Sequence, residues 1–142
     1  MSKMRARSKV VAVLMSAGLG LAALGTVPAS GVGQSLAMLD RLEPGLWELR
    51  ARDPATKARR ICIGAGHDLV QMRHAGLDCR QIVVIDHPAE VAIQYTCPGK
   101  GYGRTSIRRE TDSLIQLDSQ GIENGRPFAF AAEGRRIGSC KG

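Results

Sequence analysis

Aromatic residues are scarce in this chain: one Trp, two Tyr and two Phe among 142 residues. A core of ordinary density must then be filled largely by aliphatic side chains, with Trp47, Tyr95, Phe128 and Phe130 supplying the large pieces. Catalytic signatures are missing as well. The chain has no Gly-x-Ser-x-Gly nucleophile turn, and its three histidines (His67, His74 and His87) have no marked Ser or Cys partner. Carboxylate pairs can be drawn among Glu48, Asp86, Glu90 and Glu110, yet nothing ranks one pair above another. With no convergent catalytic set, the chain reads as a non-enzymatic protein without a cofactor.

Acidic residues are absent from the N-terminal segment, which carries Lys3, Arg5, Arg7 and Lys9. Val10 to Val27 then runs without a charge, and Val27-Pro28-Ala29 has the small-residue spacing of a processing site. A basic segment, an apolar segment and a small-residue end, in that order, predict a secretory signal over residues 1–29. Ser35-Leu36-Ala37 offers a later cleavage point, at 37. The competing reading is an uncleaved anchor. The apolar run barely reaches spanning length, however, and it is diluted by Gly18, Gly20 and Gly25 with no basic cluster behind it. Residues 30–41 then form a short linker, residues 42–142 a single domain, and no stable membrane insertion is expected after cleavage.

The leader changes the meaning of the charge. The formal net charge is +7, and four of the twenty basic residues lie in the leader. The remainder has sixteen basic against thirteen acidic residues. So small a surplus is far from a nucleic-acid footprint, and no nucleic-acid partner is expected.

All four cysteines, Cys62, Cys79, Cys97 and Cys140, lie behind the leader. An even count in a small exported domain reads as two disulfides. Arg80–Asp86 and Val91–Cys97 are β-branched runs joined by His87-Pro88-Ala89. A hairpin centred on Pro88 sets Cys79 against Cys97, Gln81 against Tyr95, Val83 against Ile93 and Ile85 against Val91, all on one face. This register favours Cys79–Cys97 with Cys62–Cys140. The competing arrangement is Cys62–Cys79 with Cys97–Cys140.

Other strand signals bracket this hairpin. Gly45–Arg52 alternates Trp47, Leu49 and Ala51 with charged residues, and Arg60–Ile63 resumes beyond Asp53-Pro54. Arg104–Glu110 and Leu114–Glu123 follow, and Asn124-Gly125 is a type I′ hairpin signal. Pairing about that turn sets Gly121 against Phe128, Ser119 against Phe130 and Leu117 against Ala132. The chain therefore reads as mainly β: one antiparallel meander, curved or partly closed, of six to seven strands with one short helix at 67–75.

Three further features invite functional readings. Cys62-x4-His67-x6-His74-x4-Cys79 offers soft ligands at a spacing unlike the usual zinc patterns, so no metal is expected and the histidines read as solvated helix residues. Pro98–Gly103 lacks the helix a phosphate loop requires and reads as a mobile loop. Its Lys100, Tyr102 and Arg104 are the candidate binding residues. Arg59-Arg60, Arg108-Arg109 and Arg135-Arg136 each place at most one guanidinium on a given strand face.

Pro44-Gly45-Leu46-Trp47-Glu48, the order of the four cysteines and the closing Gly134-Arg-Arg-Ile-Gly-Ser-Cys140 carry a resemblance. Over residues 42–140 the chain is similar to an uncharacterised family of exported bacterial proteins catalogued as domain of unknown function 3617. The chain departs from the family's commoner pattern in its short first connection and in the Ile-Gly-Ala-Gly that follows Cys62. The resemblance implies a bacterial envelope location and brings no reaction, cofactor or catalytic residue. The expectation is a periplasmic or secreted monomer that binds an envelope component or small ligand through one face or loop of its sheet. The alternatives are a small envelope hydrolase, and an inhibitor of an envelope-degrading enzyme acting through loop 98–104.

Overall fold

The computed structural model describes residues 36–141, so the expected leader lies outside the described residues. Seven strands form one antiparallel sheet: β1 Gly45–Ala51, β2 Arg59–Ile63, β3 Arg80–His87, β4 Glu90–Cys97, β5 Gly101–Thr111, β6 Leu114–Glu123 and β7 Arg126–Gly138. Their order is β2-β1-β7-β6-β5-β4-β3, with β2 and β3 as unpaired edges, so the sheet stays open. A short helix, α1 (Ala37–Asp40), precedes the strands. Strands β3 to β7 follow one another as neighbours, while β1 pairs with β7 and so joins the two ends of the domain.

Alternation decides which side is buried. Trp47, Ile63, Ile93, Tyr95, Ile107, Ile115 and Leu117 all face inward and are almost fully enclosed. They pack beneath α1 and the segment joining β2 to β3, where Met38, Leu39, Leu42, Leu69 and Val70 complete the same cluster. The expected linker over 30–41 is therefore structured in its second half: residues 36–42 carry four buried apolar side chains.

The helix expected at 67–75 is also corrected. That stretch makes two separate 3₁₀ turns, Gly66–Leu69 and Met72–His74, with Gln71 in a non-helical conformation between them. Tertiary demand overrides the local pattern, because Leu69 and Val70 must drop into the core while the chain crosses from one sheet edge to the other. Among the described residues the single α-helix is α1 instead.

Both disulfides are Cys62–Cys140 and Cys79–Cys97. The β3–β4 register holds at Gln81 with Tyr95 and Val83 with Ile93, then shifts between Val83 and Ile85. Ile85 meets Ala92, not Val91, and Asp86 meets Val91. This bulge turns the exposed β3 edge away from regular pairing, a common protection for an edge that exposes Ile82 and Val84. At the other hairpin the expected register holds throughout, with Asn124 and Gly125 at φ 49° and 77°.

Gly103 lies opposite Gly121 on β5 and β6. The Tyr95 ring and hydroxyl cover Gly103 so closely that a Cβ there would collide with both. Gly103→Val should cost about 1–3 kcal/mol through overpacking, measured as a fall in the denaturant midpoint at constant slope.

Candidate functional site

The three residues singled out from the sequence do not form a mobile tip. Strand β5 begins at Gly101, so Tyr102 and Arg104 stand on the outer face of the sheet and only residues 98–100 turn. Lys100 is fixed from two sides: the Asn124 N–H donates to its carbonyl at 2.8 Å, and His74 Nε2 lies 3.4 Å from the same oxygen. A carbonyl only accepts, so a neutral His74 ring carries its proton on Nε2 and accepts at Nδ1 from the Tyr95 hydroxyl, 3.3 Å away. Burial pushes the Tyr95 phenol above its ordinary pKa and keeps it a donor.

His74 is thus a buried, hydrogen-bonded residue and not a solvated one. Its ring also meets Tyr95 edge-on, with 5.4 Å between centroids. Beside it, Thr105 Oγ1 donates to the Val70 carbonyl at 2.6 Å and accepts from Ser119 at 2.8 Å. These polar groups satisfy one another inside the core and anchor the 64–79 segment to the sheet.

Four hollows bear on the site. On the outer face, two shallow ones of about 390 Å³ each share Arg104, Gln120 and Ala129. Tyr102 lines one of them and Lys100 neither. The largest, about 550 Å³, lies between the edge strands β2 and β3 and is lined by Cys62, Cys79, His67, Asp68 and Gln71 among others. Its His67, Asp68, Gln71 and Gln81 are already engaged, whereas Arg59, which also lines it, has no ion-pair partner among the described residues. Asp68 accepts from the N–H groups of Gly64 and Ala65, His67 pairs with Asp40, and Gln71 donates to the carbonyls of His74 and Leu77.

The fourth hollow, a cleft of about 260 Å³, opens on the concave face. Leu49 and Ala51 of β1 and Ala132 of β7 form its floor, with Phe128, Phe130 and Met72 as walls. The inner face of β7 tapers from Phe128 and Phe130 through Ala132 to Gly134. A side chain at Gly134 would crowd Ile115 and Leu49, so bulk is displaced toward the open end. Both phenylalanines are consequently only half-buried, where sequence reasoning treated them as core. Lys57, Arg59 and Arg73, with Thr56 and Ala129, complete the lining.

Arg59 stands apart among the doublets. Arg60 reaches Glu48, Arg108 reaches Glu110, Arg109 reaches Asp112, Arg135 reaches Glu133 and Arg136 reaches Glu43. Alternation separates each pair as expected, but among the described residues Arg59 alone of the six has no ion-pair partner. The β1–β2 pairing sets it beside Leu49 on the concave side. The sequence alone leaves open which member of the doublet faces inward, because the 52–58 loop has no two-residue turn from which to fix the β1–β2 register.

No group of three or more metal-ligating side chains occurs among the described residues. No helix there is long and apolar enough to cross a membrane. Comparison with family models, curated proteins and solved structures finds no match for the chain.

Proposed function

We propose that the protein is an exported binding domain that holds a small, largely apolar ligand in its concave cleft. The half-burial of Phe128 and Phe130 carries this reading. In a chain so poor in aromatics, two of the five large rings stay half-buried and line an opening, Phe130 with one side against the core. Sites for small molecules are typically apolar concavities with a few polar groups that fix the ligand's orientation. Export to the bacterial envelope agrees with the basic N-terminal segment, the two disulfides and the resemblance noted above. The hydrolase alternative finds its best acid–base pair in His74 and Tyr95, but both rings are packed in the core and line none of the hollows described. An inhibitor working through loop 98–104 loses its flexible plug, since most of that segment is strand.

Isothermal titration of the disulfide-intact protein with decanol and decanoate tests the proposal. At least one should bind, and Phe128→Ser/Phe130→Ser should remove the signal while the circular dichroism spectrum is retained. Binding that survives the double substitution would place the ligand elsewhere.

A further inference from the structure

The rim of the concave cleft carries charge of one sign. Lys57 and Arg59 both line it, and neither has an ion-pair partner among the described residues. The third cation, Arg73, is engaged differently: its guanidinium meets Glu123 at 2.5 Å and lies 5.5 Å from the Phe128 ring centroid. None of the residues lining the cleft is a carboxylate. Arg59 begins β2 directly opposite Leu49, so this unpaired cation rises from the edge of the apolar floor.

A neutral apolar occupant would use only the floor and walls. An occupant that emerges between Lys57 and Arg59 with a negative group uses the rim as well. A guanidinium can grip carboxylate or phosphate oxygens two at a time, and an ammonium adds a point charge beside it. We propose, resting on the cleft reading above, that the ligand is an anionic single-chain amphiphile. Its chain lies against Phe128, Phe130 and Met72, and its carboxylate or phosphate sits between Lys57 and Arg59. At about 260 Å³ the cleft is smaller than most small-molecule sites, so it admits one chain and excludes a bulky ring system.

Calorimetric titration of the disulfide-intact protein at low salt with decanoate, decyl phosphate, decanol and decyltrimethylammonium separates the possibilities. The anions should bind about tenfold more tightly than decanol, and the cation more weakly than any. The ratio of decanoate to decyl phosphate then identifies which headgroup the rim prefers. Lys57→Glu/Arg59→Glu should reverse the order in favour of decyltrimethylammonium, and added salt should compress the differences. Equal affinities for decanoate and decanol, or an order unchanged in the double variant, would overturn the headgroup assignment while the cleft reading stands. Absence of binding by all four would overturn both.

Discussion

Replacing Cys62 and Cys140 together by Ala should lower the unfolding free energy by about 4 kcal/mol. The bridge joins residues 78 apart, and the chain-entropy model assigns a loop of that size about 4–5 kcal/mol. The Cys79–Cys97 bridge spans 18 residues and is worth about 3 kcal/mol on the same basis. A domain of this size has about 5–15 kcal/mol of net stability, so loss of the longer bridge alone leaves it marginal. The local effect is just as specific. Strand β2 has one partner, β1, through five paired residues, and Cys62 ties it to the chain just beyond β7. Without the bridge, β2 should fray before the rest of the sheet and take Arg59 away from the cleft. Urea unfolding followed by Trp47 fluorescence checks the first effect, and hydrogen exchange at residues 59–63 checks the second. An unchanged midpoint would mean that the bridge only decorates an already sufficient core.

Trp47→Ala should cost about 3–5 kcal/mol, the usual penalty for emptying a large buried aromatic site. Trp47 is fully enclosed, sits between Ile61 on β2 and Arg136 on β7, and donates from Nε1 to the Glu43 carbonyl at 3.0 Å. Few other residues of this sequence have comparable volume, so the surrounding aliphatic side chains cannot collapse to refill the space. Trp47→Phe should retain much of the packing and lose the hydrogen bond, leaving the Glu43 carbonyl unsatisfied at a cost of about 1 kcal/mol beyond the lost volume. Chemical denaturation of the two variants side by side measures the difference. A Trp47→Ala variant within 1 kcal/mol of the parent would contradict the assigned role.

Much of the architecture was legible because strand alternation and turn chemistry are local. Asn124-Gly125 fixed a register that holds along the whole β6–β7 hairpin, and the facing of Cys79 and Cys97 chose between two disulfide arrangements. The departures have physical causes at particular residues. The bulge at Val83–Ile85 adds a residue without disturbing the apolar pattern, since valine and isoleucine suit either face. The 67–75 segment has helix-like spacing, but its path is set by the need to bury Leu69, Val70 and His74 while bridging the sheet edges. Glycines at 99, 101 and 103 suggested mobility. Gly103 is in fact required by the overlying Tyr95, and Gly101 takes φ 126° at the start of β5.

The concave cleft was the least legible feature. It depends on how far β7 extends beyond its pairing with β1, and on the β1–β2 register across the 52–58 loop. Phe128 and Phe130 carry the same apolar signal whether enclosed or lining an opening. The nearest usable sign was Arg59, a charged residue at an inward position once β1 and β2 are paired. The outer face showed the opposite: Tyr102 and Arg104 were identified individually, and their placement on a shallow sheet surface emerged only from the fold.

The most direct measurement of the central claim is a backbone and side-chain NMR titration of the disulfide-intact protein with decanoate. Ligand binding in the cleft predicts that perturbations concentrate at Leu49, Lys57, Arg59, Met72, Phe128 and Phe130. Perturbations confined to Tyr102, Arg104 and Gln120 on the outer face, or none at saturating ligand, would contradict it.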